Sequence, residues 1–362
     1  MKRISLPIRL VLPALAIITL IAVNFGPSPL ADGGANHQVR NLNYGVSGGN
    51  VNDISRRFCC SGTLGSLVQS ANGTQYILSN NHVLGLAGAA HAGDDISQPG
   101  LVDSNCSPAT IVADFTVAPP LANNVDCAIA QLRTGQMNPT GFIEDIGTIS
   151  STPRTATVGL SVAKSGRTTG FTTGSISSVS TTVSVRYPKS CGSNNGPVFT
   201  FTNQVVINST TFSAGGDSGS LIVSNDNAIC HQPVALLFAG SSSSTIGNPI
   251  GQVLSQVSLS LGSTVSFVGA ACGASATTTQ SLGKGVSDAS VEFATAAMRS
   301  REQDIMSRPG VIGIGVSQAD DNQNEAAIIV YIDSTAKVKT KLPKTIGGVK
   351  VQRVYTEPFV AY

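Results

Sequence analysis

A mainly β chain of antiparallel strands, followed by a smaller α+β unit, is the fold class this sequence predicts. The composition points there first: Gly, Ser, Thr and Val dominate, with 38 glycines and 17 prolines in 362 residues and only 12% charged side chains. Turn formers at that density punctuate many short strands rather than long helices. Short runs such as Val198 to Ile207 then alternate apolar and polar residues, the period of a half-buried strand. Finally, charged residues become abruptly denser from Ser287 onward. A Gly/Ala/Ser/Thr stretch separates the two regimes and reads as a linker at 271–286.

The elements follow in order. Lys2, Arg3 and Arg9 precede an apolar stretch from Leu10 to Val23, which has the layout of a secretory signal. As a helix that stretch covers roughly 21 Å, short of the ~30 Å hydrocarbon core. Phe25, Pro27 and Pro29 interrupt any small-x-small cleavage site, so 1–31 is expected to be a signal peptide or a retained N-terminal anchor. The unit at 32–270 contains an Asn72-Gly73 hairpin turn followed by the strand-like run from Tyr76. It ends on a helical pattern at Val253, Leu254, Val257 and Leu261, then a strand through Val265 and Phe267.

The module at 287–362 opens with a helical pattern at Val291, Ala294, Met298 and Ile305, stopped by Pro309-Gly310. Three strands follow at Val311–Ser317, Ala326–Asp333 and Val349–Tyr355, so one helix laid on a short sheet is expected. Asp320 to Glu325 has the alternating oxygens of a calcium loop. Its sixth position is Glu325 where glycine is needed and its twelfth is Tyr331 where glutamate is needed, which favours a polar hairpin turn.

A net charge of +2 leaves no footprint for nucleic acid. Cys59, Cys60, Cys106, Cys127, Cys191, Cys230 and Cys272 show no paired Cys-x-x-Cys spacing for zinc. No metal or cofactor is implied. Disulfides and an extracytoplasmic location are the better reading. The odd count means that at least one thiol is free or pairs between chains, and Cys127, inside an apolar run, is the expected buried free thiol. Cys191 and Cys230 bracket Ser218 and are one candidate pair, although spacing does not fix connectivity.

The chemistry centres on Gly215-Gly216-Asp217-Ser218-Gly219-Ser220. A serine attacks a carbonyl when a base takes its proton and donors hold the oxyanion. In such a tight turn the N–H groups of Gly216 and Ser218 converge, while a plain polar turn is the competing reading. Of the four histidines, His37 lies near the mature N-terminus, His91 in an Ala/Gly-rich loop and His231 beside Cys230. His82 alone closes a strand-like run, which makes it the candidate base. Asp126 opens the apolar run Cys127 to Ala130; a charge entering such a run needs a partner, and an imidazole N–H is one. Asp94, Asp95, Asp103 and Asp114 sit in more polar surroundings.

With His82, Asp126 and Ser218 in that order, the chain resembles a trypsin-like (chymotrypsin-fold) serine peptidase of the bacterial secreted type. Lys164 to Ile176 is similar to the glycine-punctuated strand pair that opens the second barrel in bacterial members. Gly62-Thr63-Leu64-Gly65, Leu78 to His82 and Asn248-Pro249-Ile250 resemble the branch similar to plant narrow-leaf trypsin-like proteins. The resemblance implies two six-stranded antiparallel β-barrels and hydrolysis of protein or peptide substrates through an acyl-enzyme. His82 would be the base, Asp126 its orienter, and the Gly216 and Ser218 amides the oxyanion hole. It implies Phe212 and Ser213 at the base of the primary pocket and Phe238, Ala239 and Gly240 along the substrate backbone. No acid is among them, so an apolar or small acyl-side residue is expected rather than Lys or Arg.

Some positions depart from the family. The small apolar pair before the histidine is Asn80-Asn81, and the serine that commonly supports the aspartate is Phe238. No activation site of the digestive type is present. The alternative reading is a peptidase-fold binding protein, weakly active or inactive, working through its C-terminal module. That module is expected to bind a partner or cover the active site.

Overall fold

The computed structural model describes residues 35–193, 195–226, 230–271, 286–338 and 340–362. The expected signal or anchor segment at 1–31, the linker residues 272–285 and Cys272 lie outside the described residues.

The first seven strands are β1 (Val46–Asn50), β2 (Gly62–Leu64), β3 (Ser66–Ser70), β4 (Gln75–Ser79), β5 (Asp95–Gln98), β6 (Thr110–Val117) and β7 (Ala128–Leu132), with the single-turn helix α1 (Asn81–Leu84) after β4. Their antiparallel order is β3-β4-β7-β6-β5-β1-β2. Only Gly65 separates β2 from β3, so both edges belong to one bent strand and the sheet closes on itself as a six-stranded barrel. The bend must be glycine, because a Cβ there would lie 1.9 Å from the Gly219 carbonyl oxygen. Alternation turns Leu67, Ile77, Ile129 and Val112 inward to a closed apolar core.

The next seven strands are β8 (Ser161–Gly166), β9 (Gly170–Ser175), β10 (Ser178–Arg186), β11 (Val198–Asn208), β12 (Leu221–Ser224), β13 (Pro233–Gly240) and β14 (Ser244–Pro249). Six of them, in the order β9-β8-β12-β13-β14-β11, curl until β9 and β11 meet. They enclose Val162, Ile207, Phe212, Ile222 and Leu237. The glycine-punctuated pair is the β8–β9 hairpin, in register from Ser161 opposite Ser175 to Gly166 opposite Gly170. Helix α2 (Ile250–Leu261) then buries Val253 and Val257, and β15 (Val265–Phe267) returns to pair with β3 of the first barrel.

The C-terminal module contains α3 (Asp288–Arg299), α4 (Glu302–Met306), β16 (Val311–Gln318), β17 (Ala326–Asp333), β18 (Thr345–Ile346), β19 (Val349–Thr356) and β20 (Phe359–Ala361). The Ser287 hydroxyl accepts the Ser290 N–H and caps α3. The helical pattern breaks at Arg301, whose φ of −131° is not helical, so two helices replace the expected one. Ala294, Met298 and Ile305 pack on Ile314, Val316, Ile328 and Val330. The acidic loop is a polar hairpin turn, in which the Glu325 N–H donates to the Asn322 carbonyl.

Two features were not legible as patterns. β16 pairs antiparallel with β10, so the module's sheet is continuous with that of the second barrel. Short β20 lies between β10 and β13, pairing with both.

Disulfides join Cys59 to Cys106 and Cys60 to Cys191, and Cys127 is a buried free thiol as expected. The Cys191–Cys230 pairing is overturned. The β10–β11 excursion carries Cys191 over the first barrel, 5.6 Å from Cys60 between Cα atoms, which is within bridging range.

Candidate active site

Strand β4 ends at Ser79, and the chain turns through extended Asn80 into α1, which holds His82 at the boundary between the barrels. The two asparagines that depart from the family pattern are both buried and fasten this corner. Asn80 Nδ2 donates to the Asp126 carbonyl at 2.7 Å, and Asn81 Nδ2 donates to the Pro119 carbonyl at 2.9 Å. Asp126, fully buried just before β7, accepts from His82 Nδ1 at 2.5 Å through Oδ2 and from the His82 amide at 3.2 Å through Oδ1. Its own amide donates to Asn248 Oδ1 at 2.8 Å, which gives the Asn248-Pro249 motif a physical role.

The support missing at Phe238 comes from Tyr187, just past β10, whose hydroxyl donates to Asp126 Oδ2 at 2.7 Å. Burial, then the charge and hydrogen bond of Asp126, raise the Tyr187 pKa well above its ordinary value, so the hydroxyl keeps its proton. Burial is also the largest influence on His82 and favours neutral imidazole. The charge and hydrogen bond of Asp126, the Tyr362 main-chain oxygen and the charge of Asp53 outweigh it, and the pKa is raised. Asp53 itself is pushed up to about 6 by burial, against the opposing pull of His82. Neither Tyr187 nor Asp53 carries a local sequence signal, since each acts through a neighbour distant in the chain.

Ser218 stands in the turn between β11 and β12, where Gly216 (φ +99°) and Gly219 (φ +95°) occupy backbone conformations suited to glycine. A Cβ on Gly219 would fall 2.2 Å from the Thr63 carbonyl, so the turn is pressed against the first barrel. The Thr63 amide donates to the Ser218 carbonyl at 2.8 Å across the same seam. Between these glycines, the buried Asp217 carboxylate accepts from the Thr168 amide at 2.8 Å, Thr169 Oγ1 at 2.7 Å and the Ala214 amide at 3.0 Å. Lys164 Nζ lies 3.4 Å away. The turn is therefore fixed by groups of the β8–β9 hairpin inside the same chain.

The Gly216 and Ser218 amides have no acceptor among the described residues, the state required of oxyanion donors. The Ser218 hydroxyl donates to the Phe238 carbonyl at 3.2 Å, and no direct hydrogen bond joins it to His82. His82 Nε2 instead faces the main-chain oxygen of Tyr362 at 2.9 Å. Phe212 is buried in the second barrel's core, and Ser213 is bonded to Thr245 at 2.5 Å. Phe238, Ala239 and Gly240 form the end of β13 alongside. The other histidines are elsewhere: His37 bridges the Gly45 carbonyl and Asp145, and His231 contacts the Ser224 carbonyl.

Asp53 also lies with the Cys60 and Cys191 sulfurs within 4.8 Å. Those sulfurs are bonded to each other and offer no thiolate to a metal.

A profile of the Nal1 C-terminal domain matches residues 104–248, a span that contains Asp126 and Ser218 and stops short of His82. No curated protein matches the sequence. Among solved structures, the chain is similar to a glutamic-acid-specific serine protease described as using a histidine triad in substrate binding. The identity is 21% over 62% of this chain and 98% of that one, with a TM-score of 0.42. It is similar to Thermobifida fusca protease A at 19% identity, over 63% and 98% of the two chains, with a TM-score of 0.41. A Cellulomonas bogoriensis chymotrypsin gives 19% identity over 59% and 94%, with a TM-score of 0.39.

Proposed function

We propose that the chain is an exported serine endopeptidase in which Ser218 attacks the peptide carbonyl. In this reading His82 takes the serine proton and passes it to the leaving amine, while Asp126 holds the imidazole in the required tautomer. The Gly216 and Ser218 amides stabilise the oxyanion, and water then hydrolyses the acyl-enzyme. The observation that carries the reading is the 2.5 Å contact between His82 Nδ1 and buried Asp126, made at the seam against which the Ser218 turn is packed. In this reading the serine hydroxyl exchanges its bond to the Phe238 carbonyl for one to His82 when substrate is bound. The disulfides Cys59–Cys106 and Cys60–Cys191 support an oxidising compartment, and among the described residues no helix is long and apolar enough to cross a membrane.

The test is labelling of the purified mature protein with a fluorophosphonate probe, with casein degradation alongside. Ser218→Ala is expected to abolish both. Retained labelling in that variant assigns the nucleophile elsewhere, and absence of labelling in every form favours a binding protein on a peptidase fold.

A further inference from the structure

The groove beside the candidate active site is filled by the chain itself. β20 lies antiparallel on β13, with Ala361 opposite Ala239 and Val360 opposite Gly240. Antiparallel addition to a strand is how a peptide is held by its main chain while its side chains enter pockets. β13 is the strand expected to carry substrate backbone. The next residue, Tyr362, places its main-chain oxygen 2.9 Å from His82 Nε2.

Its ring packs on the second barrel's core. The hydroxyl donates to the Ser241 carbonyl at 3.0 Å. A Cβ on Gly240 would fall 2.2 Å from that hydroxyl, so glycine is what admits the ring. A cavity of 530 Å³, lined in part by Asp53, His82, Arg167, Tyr187 and Tyr362, adjoins the seated residue.

The contact with His82 has a chemical consequence. With the Nδ1–H donating a hydrogen bond to Asp126, Nε2 meets an oxygen favourably only as a second N–H donor, so the seated tail selects the imidazolium. An imidazolium cannot accept the serine proton. The tail thus fills the peptide groove and disables the base together.

We propose that Phe359–Tyr362 occupies the candidate active site as an acyl-side peptide mimic, that the C-terminal module thereby masks the site, and that the site takes peptides with tyrosine before the scissile bond. The proposal rests on the peptidase reading above. Main-chain pairing, a ring pocket with a partner for the hydroxyl, and the His82 contact coincide in four consecutive residues. A tethered strand competes at an effective concentration of order mM, and the observed rate falls with the open fraction.

The experiment compares fluorophosphonate labelling rates of the full-length native protein, Tyr362→Gly and Tyr362→Phe. Tyr362→Gly is expected to label about tenfold faster or more, because the open fraction sets the rate. Tyr362→Phe keeps the ring and loses only the hydroxyl bond, so it is expected to label about threefold faster and covers the case in which the glycine variant fails to fold. Added N-acetyl-Phe-Val-Ala-Tyr should slow the opened variant again, whereas N-acetyl-Phe-Val-Ala-Lys should not. Equal labelling of native and variant proteins at Ser218 overturns the mask and leaves the peptidase reading standing. Equal slowing by the two peptides overturns the tyrosine preference. No labelling of any form removes the peptidase reading and this proposal with it.

Discussion

Tyr187 and Asp126, 61 positions apart in the sequence, share a buried hydrogen bond of 2.7 Å from hydroxyl to carboxylate. The bond, delivered from the end of β10, gives the buried aspartate a second side-chain donor beside His82. Hydrogen bonds to charged groups are worth about 1.5–3 kcal/mol, so Tyr187→Phe is expected to lower kcat/KM about tenfold on a chromogenic peptide. The loss should fall on kcat, with KM little changed. An unaltered kcat would show that the tyrosine only packs.

The pH profile has a definite sign. The folded protein raises the His82 pKa, and Asp126, Asp53, Tyr187 and the Tyr362 oxygen are the groups that face it. Stability from this shift is complete below the unfolded value of about 6.5 and is lost as pH rises through the folded value. Reactivity runs the other way because the base must be neutral. The labelling rate of Ser218 should therefore rise with pH, with a midpoint above about 6.5. Asp53→Asn removes a carboxylate that favours the cation, so its midpoint should move to lower pH. An unmoved midpoint would separate Asp53 from the site's electrostatics.

The pair formed by Lys164 and Asp217 tests what fixes the Ser218 turn. Burial lowers the Lys164 pKa and Asp217 opposes the fall. Removing one partner strands the other, so Asp217→Asn is expected to cost about 3–5 kcal/mol in urea denaturation. The same variant should lose oxyanion geometry and with it most of kcat. Adding Lys164→Met should recover part of the stability. Strictly additive losses in the double variant would argue against direct coupling.

The disulfide between Cys60 and Cys191 spans 131 positions and ties the loop after β1 to the β10–β11 excursion. Replacing both cysteines by serine should destabilise the protein by about 2–5 kcal/mol. Cys127 is buried, and its pKa is pushed well above the ordinary thiol value by burial and then by Asp126. It is expected to resist a thiol reagent in the native protein and to react in denaturant. Prompt reaction at Cys127 in the native protein would contradict its burial.

Much of the candidate site is legible because its signals are local. His82 closes a strand run, Asp126 opens one, and Ser218 stands among glycines whose φ values the turn requires. The β8–β9 hairpin and the strands of the module were readable for the same reason, since alternation and turn residues act over a few positions. The partner of Cys191 was not readable. A disulfide is decided by where two Cα atoms come to rest, and the β10–β11 excursion that brings Cys191 to Cys60 has no signature in residue spacing. Asn80, Asn81 and Asn248 looked like departures or branch markers until their hydrogen bonds to the walls of the site were visible.

The sequence by itself determined the strand-rich class, the change of character near Ser287, the buried thiol at Cys127 and the candidate nucleophile, base and orienter. These follow from patterning and from the cost of burying polar groups, which each segment carries wherever it is placed. Tertiary structure alone decided that Tyr187 and Asp53 bear on the candidate base, that the module's sheet joins the second barrel through β10 and β16, and that Tyr362 lies against His82. Those relations depend on long-range pairing and closure of the chain. A three-residue strand such as β20 has too little periodicity to announce itself, and it forms only because β10 and β13 offer their backbone groups on either side.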